Sequence, residues 1–133
     1  MARPASVHPT ELELQILKIL WEDSPLTVRQ IRERLATLGR DIAHTSVITT
    51  TNTMIEKNQL KKLRKREGKA FLLRPAVKRA DVSHGILGDV VERVFDGSTA
   101  AVMLSLFDYA DVDEAELKEL RRIFNQKAKE QRQ

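Results

Sequence analysis

The sequence predicts a mainly α-helical chain with one small β-hairpin, and two observations lead to this prediction. Apolar residues recur at helical spacing in six separate stretches. A further stretch, residues 60–74, alternates loosely and is interrupted by Glu67-Gly68, which is typical of two short strands around a turn. Three helices and a hairpin in this order form a winged helix-turn-helix. The three remaining helices follow the hairpin.

The first helix is marked by signals at both of its ends. Thr10 with Glu13 three residues on is a capping box, in which each side chain satisfies a backbone N–H of the first turn. Asp23, Ser24 and Pro25 end the helix, because proline cannot continue the hydrogen-bond ladder. The sequence therefore predicts a helix that begins just after Thr10 and ends before Pro25.

The second helix repeats the pattern after a very short connection. Thr27 with Gln30 is the capping signal, and Gly39 stands where a helix end favours a left-handed residue. Residues 26–28 are too short to predict an element of their own.

The third helix, residues 44–58, has an unusual exposed face. Its core face is predicted to hold Val47, Thr50, Thr51 and Met54, with Ile55 at the edge. The opposite face is polar and almost uncharged, and consists of Thr45, Ile48, Thr49, Asn52, Thr53 and Glu56. Threonine is a poor helix former, so tertiary packing must hold this helix, and we expect Thr45 or Ser46 to cap it. Asparagine can pair bidentately with adenine and threonine can contact a thymine methyl, so this face suits a DNA major groove.

The positive charge of the chain is concentrated in one segment. Residues 57–79 contain ten Lys or Arg and one Glu, whereas residues 1–56 contain six against seven acids and residues 80–133 seven against eleven. A basic block beside a small polar helix is the electrostatic footprint of a nucleic-acid-binding protein. We expect Thr49 and Asn52 to contact base edges, with Thr45, Ser46 and Thr53 near phosphates. The wing is expected to hold the DNA backbone through Arg64, Lys65, Arg66 and Lys69.

Composition excludes several other classes. The chain has no cysteine, so it forms no disulfide or thiolate metal site, which fits a reducing cytoplasm. No apolar run approaches the ~20 residues of a membrane span, and residues 1–9 contain no signal core and are predicted to form a flexible arm. His8, His44 and His84 are not at metal-ligand spacing. No nucleophile elbow or Gly-rich phosphate loop is present, so we expect neither a cofactor nor an enzyme.

The C-terminal part is acidic and helical. We predict a winged-helix domain at residues 10–75 and a three-helix dimerisation region at residues 76–133. A piece of fewer than ~60 residues buries little apolar surface alone, and a second copy is the simplest partner. The predicted homodimer interface is Ile86, Leu87, Val90, Val91, Val94, Phe95, Val102, Leu106, Phe107, Leu117, Leu120, Ile123 and Phe124.

With these segments in place, the sequence resembles the penicillinase-repressor (BlaI/MecI/CopY) family of bacterial transcription regulators. The resemblance covers nearly the whole chain, and the order and spacing of its segments make it fairly specific. It rests on residues 11–21, PLTV at 25–28, TTTNTMIEK at 49–57, GKAFLLRP at 68–75 and VFDGS at 94–98.

The resemblance implies a winged helix on double-stranded operator DNA, a C-terminal dimerisation region and repression of antibiotic-resistance or related stress genes. In one branch a membrane sensor triggers proteolysis within the dimerisation region, at positions that match Ser105 and Leu106 here. The family's cleavage pair is Asn-Phe, and the family commonly has Leu at positions 50 and 51 and a basic residue at positions 45 and 53. The copper-responsive branch carries a cysteine cluster, which this chain does not have.

Two alternatives remain open from the residues themselves. One is a winged helix that binds a protein or RNA, with the basic wing as a solvated face. The other is a DNA-binding regulator that responds to a small ligand in the dimer core. Salt-dependent, sequence-selective duplex binding would separate the first alternative from a DNA repressor, and a ligand-induced rise in melting temperature would favour the second.

Overall fold

The computed structural model describes residues 8–132, apart from the side chain of Arg66. Its elements are α1 (Glu11–Glu22), α2 (Val28–Thr37), α3 (His44–Glu56), β1 (Leu60–Glu67), β2 (Ala70–Pro75), α4 (Arg79–Arg93), α5 (Thr99–Tyr109) and α6 (Glu114–Gln131). The predicted fold class, mainly helical with a β-hairpin wing, is confirmed.

The chain forms two compact units, and the division falls inside α4, between Asp89 and Val90. The domain boundary placed after residue 75 from sequence marks the end of the hairpin and stays a prediction. Most of the predicted flexible arm, residues 1–7, lies outside the described residues.

The core of the first unit is built by all three helices and both strands. The apolar spacing in each helix puts one stripe inward, and the strands close the open side. Its buried members include Ile16, Leu17, Leu20, Ile31, Leu35, Val47, Met54, Leu60 and Leu73. Burying these side chains gives the main driving force for folding, at about 1.5–3 kcal/mol for each large apolar side chain.

The predicted caps of α1 and α2 are confirmed. Thr10 and Glu13 form a reciprocal capping box on α1, and Thr27 and Gln30 form another on α2. At the end of α2, Gly39 has φ +89°, and the N–H groups of residues 39 and 40 donate back into the last turn. This is a Schellman ending, which glycine accepts without strain.

The predicted cap of α3 is wrong. The helix begins at His44 after an extended Ala43, and no side chain caps it. Ile42 packs against the core that contains Val47, and these two positions are those of a hydrophobic staple. The staple starts the helix early, so Thr45 and Ser46 lie inside the first turn with exposed side chains.

The hairpin pairs β1 with β2 in antiparallel register, but β1 carries a bulge. Lys62 pairs with Leu73 and Arg66 with Phe71, so three residues of β1 face one residue of β2. Leu26 adds a third, one-residue strand, since its N–H and C=O both bond to Leu73 at 3.0 and 2.8 Å. Residues 26–28, for which the sequence predicted no element, therefore attach the hairpin to the helices through Leu26.

The start of α4 belongs to the first unit. The indole N–H of Trp21 donates to the carbonyl of Val77 at 2.9 Å, and the Arg79 guanidinium lies 5.1 Å from the indole ring centroid. Near the other end of the helix, Nε2 of His8 is 2.7 Å from Oδ2 of Asp89. These contacts join α4 to the N-terminal segment and to α1.

The second unit buries little of its apolar surface. Val102 is its one buried hydrophobic residue among those described. Asp96 and Gly97, with φ +51° and +82°, form the turn before α5, and Ser98 caps α5 by accepting from the N–H of Ala101. Asp113 caps α6 and accepts from the N–H of Glu116.

Candidate nucleic-acid interface

The two faces of α3 are separated largely as the sequence predicts, except that Thr50, predicted for the core face, is only half-buried. Val47, Thr51 and Met54 are buried, with exposed fractions of 0, 1 and 0%. The opposite face is exposed along its length and comprises Thr45, Ile48, Thr49, Asn52, Thr53 and Glu56. The structure therefore presents a helix side with small polar groups and one amide, suited to close approach by a partner.

The hydroxyl groups of two exposed threonines, Thr49 and Thr53, are held in place by their own helix. Oγ1 of Thr49 donates to the carbonyl of Thr45, and Oγ1 of Thr53 donates to the carbonyl of Thr49, both at 3.0 Å. Each hydroxyl proton is thus engaged, and the oxygen remains able to accept. Such a threonine offers a fixed acceptor and a fixed methyl group to whatever approaches it.

The first turn of α3 has no side-chain cap. The N–H of Ser46 donates to the carbonyl of Ala43 at 3.0 Å, no side chain bonds to the N–H groups at the start of the helix, and Ala43, His44, Thr45 and Ser46 are all exposed. Free N–H groups and the helix dipole together favour an anion at a helix N-terminus. This end of α3 is therefore suited to a phosphate group.

The wing places its basic side chains at the surface. Arg64 and Lys65 are exposed and lie in the bulged part of β1, where the extra residues interrupt regular pairing. Lys69 is exposed in the turn. The backbone of Arg66 pairs with Phe71, while its side chain lies outside the described part of the structure.

A groove joins the exposed face of α3 to the wing. Its volume is about 230 Å³, and Ile48 and Asn52 of α3 face Lys62, Lys69 and Phe71 of the hairpin across it. The ammonium of Lys62 lies 4.6 Å from the Phe71 ring centroid. Lys62, His44 and Arg29 are groove residues that the sequence analysis did not assign. Lys62 pairs with Leu73, which also lines the groove, so Lys62 could have been assigned to the groove if the strand register had been known.

A buried ion pair ties the end of α3 to the start of α1. Nζ of Lys57 donates to Oε1 of Glu13 at 2.8 Å, and the side chain of Glu13 is only 5% exposed. The same carboxylate oxygen accepts from the N–H of Thr10 at 3.0 Å. Asn58, with φ +63°, then ends α3 in a Schellman motif. The position of α3 is thus fixed at its C-terminal end by a charge in the protein interior.

The residues predicted for the dimer interface lie mostly at the surface of one chain. Leu87, Val94, Leu106, Ile123 and Phe124 have exposed fractions between 45 and 66%. Val90, Phe107 and Leu117 are also exposed, whereas Ile86, Val91, Phe95 and Leu120 are half-buried. Val102 is already buried in the single chain. Ser105 lies next to Leu106 on α5, and both are exposed.

A second groove, of about 180 Å³, lies within the second unit. Its lining is largely apolar and includes Met103, Leu106, Phe107, Leu120 and Phe124.

At the surface of α6, hydrogen bonds from the Arg122 guanidinium lower the pKa of Glu119, and the same contact raises the pKa of Arg122.

The fold and the charged surface together define a winged-helix transcription regulator. This class consists of three helices, a hairpin attached by a third short strand, and an exposed polar helix face flanked by cations. Within residues 8–132, no group of three His, Asp or Glu side chains is placed to hold a metal ion, and no helix is long and apolar enough to cross a membrane.

The chain belongs to the penicillinase repressor family, whose model matches residues 9–126. The transcriptional regulator BlaI of Mycobacterium tuberculosis is 31% identical over 108 residues, which are 80% of this chain and 76% of that protein. The methicillin resistance regulatory protein MecI of Mammaliicoccus sciuri is 23% identical over 115 residues, 86% of this chain and 91% of that protein. The family resemblance predicted from sequence is confirmed, and the family consists of transcriptional regulators, which are not enzymes.

Two solved structures align with this chain at 18% sequence identity. The PcaV transcriptional regulator of Streptomyces coelicolor aligns with a TM-score of 0.49 over 90% of this chain and 77% of its own. Staphylococcus aureus MarR aligns with a TM-score of 0.46 over 84% of this chain, which spans 65% of the MarR chain.

Proposed function

We propose that this protein is a sequence-specific, double-stranded DNA-binding repressor that acts in the cytoplasm as a homodimer on a pseudo-palindromic operator. The observation that carries the proposal is that the almost uncharged exposed face of α3 and the basic wing line the same groove. An α-helix fits the major groove of B-DNA, and cations beside it can neutralise the adjacent phosphates.

In this proposal the exposed face of α3 reads bases. Asn52 lies on that face beside the groove and is the side chain best able to make a bidentate contact, with adenine. Thr49 supplies the fixed acceptor and methyl group described above. Thr45 and Ser46, exposed at the uncapped start of α3, are proposed to approach one phosphate, and Thr53 is expected to approach another farther along the helix.

Replacement of Asn52 by alanine tests base reading. Because the amide is exposed and takes no part in the core, the fold should be unaffected. We expect Asn52→Ala to lose about 1–3 kcal/mol of discrimination between operator and scrambled duplex, measured as a ratio of dissociation constants. Equal losses on the two duplexes would show that Asn52 does not read bases. Glu22→Ala, an exposed change at the end of α1, is the matched control.

The wing is proposed to hold the DNA backbone without reading sequence. Arg64, Lys65 and Lys69 have exposed side chains, and Arg66 is assigned by its sequence position in the same hairpin. Phosphate contacts release counterions, so they determine salt dependence and not base preference.

Replacement of Lys65 by alanine tests this role. Affinity for operator and for scrambled DNA should fall alike, and the slope of log K against log salt should decrease by about one, because one phosphate is no longer neutralised. The measurement is a salt titration of binding followed by fluorescence anisotropy. A slope identical to that of the parental protein would mean that Lys65 is only solvated. Lys118→Ala, an exposed lysine of α6, controls for the change in net charge.

The proposed homodimer is formed by the second unit. Large apolar side chains of α5 and α6 remain exposed there, among them Leu106, Phe107, Ile123 and Phe124. A second copy of the same surface would cover them with two-fold symmetry. Two symmetric reading heads require half-sites about 10 base pairs apart or a multiple of that.

Release of the repressor is proposed to follow cleavage near Ser105 and Leu106 by a sensor-controlled protease. These residues lie in the middle of α5, so a cut there would split the helix that carries Leu106 and Phe107. The two half-sites would then be bound independently, and operator affinity would fall although α3 is intact. The regulated genes are proposed to be antibiotic-resistance or related stress genes.

Selection of bound sequences from a random duplex pool tests the proposal as a whole. A DNA repressor of this kind should enrich a two-fold symmetric motif with a fixed spacing. A winged helix that binds protein or RNA should enrich no duplex sequence. The salt dependence of the enriched duplex would then be compared with that of an equal length of unselected DNA.

A further inference from the structure

Ile48 is the apolar member of the exposed face of α3. Its side chain is 37% exposed, whereas Val47, the neighbour that turns inward, is fully buried. The other residues of that face are threonines, one asparagine and one glutamate. An apolar side chain that stays in contact with water lacks the free energy that its burial would supply. A partner that covers Ile48 on binding would gain this free energy.

Ile48 lies in the groove between α3 and the wing, and the lining of this groove is mainly apolar. Ile55 and Phe71 are among the residues that continue the apolar lining around it. Among the described residues no acid lines the groove, and Lys62 and Lys69 lie on its hairpin side. The groove therefore offers a small apolar surface bordered by positive charge.

The chemistry of this surface selects one kind of group on duplex DNA. Phosphate oxygens and the polar atoms of base edges need ionic or hydrogen-bond partners, so their burial against aliphatic side chains costs free energy. The C5-methyl of thymine is the apolar group that base pairs present in the major groove. Its burial against the methyl branches of Ile48 would remove apolar surface of both partners from water. Ile48 thus suits a thymine methyl, and the cations beside it suit the flanking phosphates.

Asn52 determines where along the DNA this methyl should lie. Ile48 and Asn52 are four positions apart on α3 and line the same groove. Side chains with this spacing are neighbours on one helix face, with Cβ atoms about 5–6 Å apart. Successive base pairs are stacked about 3.4 Å apart. Ile48 should therefore reach a base within about two base pairs of the adenine that Asn52 is proposed to contact.

We infer that Ile48 is a specificity-determining residue: it recognises the C5-methyl of a thymine within about two base pairs of the adenine contacted by Asn52. The inference rests on the proposed function, because such a contact has a meaning only if α3 enters the major groove. It adds apolar recognition to the hydrogen bonding of Asn52. Because the contact is made to a methyl group, 5-methylcytosine at the same position should satisfy it as well.

The test separates the methyl group from the hydrogen-bonding pattern of the base. The full-length protein would be titrated with the operator selected from the random pool, and then with versions in which each thymine in turn is replaced by deoxyuridine in both half-sites. Deoxyuridine keeps every donor and acceptor of thymine and lacks only its methyl group. At the most sensitive position, cytosine and 5-methylcytosine, each paired with guanine, would then be compared in the same way.

For the parental protein we expect one thymine of each half-site to be sensitive to this replacement. It should lie beside the adenine whose replacement no longer affects binding in Asn52→Ala. Loss of one methyl contact corresponds to about fourfold in affinity, so the change in both half-sites should weaken binding about 15-fold. The duplex with 5-methylcytosine should bind more tightly than the duplex with cytosine by a similar factor, because the methyl occupies the same place in the major groove.

Three variants assign the methyl effect to a residue. Ile48→Ala should bind thymine and deoxyuridine duplexes alike, and cytosine and 5-methylcytosine duplexes alike. Ile48→Val, which keeps a shorter β-branched side chain, should give intermediate ratios. Leu38→Ala is the matched control, since Leu38 is 60% exposed in the first unit and does not line the groove. Each ratio compares two affinities of one protein, so a lower fraction of folded protein cancels out.

Three outcomes would overturn the inference for a repressor that is sequence-specific. The first is a selected half-site with no thymine within two base pairs of that adenine. The second is equal binding of thymine and deoxyuridine at every such position. The third is a parental ratio in Ile48→Ala, which would mean that another side chain contacts the methyl.

The proposed function fails in a different way. If the parental protein binds the operator and scrambled DNA equally, α3 does not read bases, and the inference about Ile48 is wrong with it. That result comes from the parental protein on unmodified DNA, so the two failures are distinguishable.

Discussion

A repressor carrying Leu106→Asp and Ile123→Asp is expected to be monomeric and to bind its operator about 10²–10⁴-fold more weakly than the parental protein. Both side chains are about half exposed in the single chain, at 50 and 47%. Their replacement should therefore cost the monomer little. In a two-fold dimer, by contrast, four carboxylates would enter an apolar interface where charges are poorly solvated. Analytical ultracentrifugation and operator titration measure the two effects on the same sample.

The control for this prediction is Tyr109→Asp. Tyr109 is on α5, is 89% exposed and is outside the predicted interface. Tyr109→Asp should therefore leave both the dimer and the operator affinity unchanged. Affinity for a single half-site should be the same in all of these proteins. A monomeric double variant with undiminished operator affinity would show that the two heads do not act together.

The second large effect is expected on stability. Lys57→Met removes the cation that faces Glu13, whose side chain is 5% exposed and cannot be solvated in place. Removing one partner of a buried pair leaves an uncompensated charge, which costs several kcal/mol. Because the Lys57 side chain is itself 25% exposed, we expect a loss of about 2–3 kcal/mol in the free energy of unfolding. Urea unfolding followed by fluorescence of Trp21, the single tryptophan, reports on this unit.

A double variant separates charge burial from the packing of the lysine stem. Glu13→Gln keeps an acceptor for the N–H of Thr10, because glutamine also forms a capping box, but it carries no charge. Glu13→Gln combined with Lys57→Met should therefore recover most of the stability that Lys57→Met loses. If Lys57→Met unfolds like the parental protein, the pair is not buried in solution. If the double variant is as unstable as the single one, the missing packing of the lysine stem is responsible.

The sequence predicted those parts of the fold that depend on neighbouring residues. Thr10 with Glu13 and Thr27 with Gln30 act over three positions, so their pattern is visible in the sequence itself. The buried face of α3 followed from its spacing for the same reason. A short-range signal can still be overruled, as at Ala43, where packing of Ile42 started α3 before the threonine and serine expected to cap it.

The parts that could not be predicted join residues far apart in the chain. From sequence, Leu26 is predicted to lie in a loop, and only the structure shows that it pairs with Leu73. Likewise, His8 is predicted to belong to a flexible arm, and only the structure shows that it contacts Asp89. The groove could not be predicted for the same reason, because Lys62 and Ile48 come together only when the hairpin packs beside α3. Nothing in the sequence alone fixes which distant residues meet, since that depends on packing of the whole unit.

The separation of charge from the reading face has a consequence for how quickly the operator is found. A protein must search a very large excess of other DNA, and it does so while held to the phosphates by non-specific attraction. In the proposed complex that attraction comes mainly from the wing, because the exposed face of α3 carries only one formal charge, the acid Glu56. We therefore expect the helix to bind non-operator sequences only weakly. The dwell time on a wrong site would then depend mainly on the wing, and a matching sequence would lengthen it.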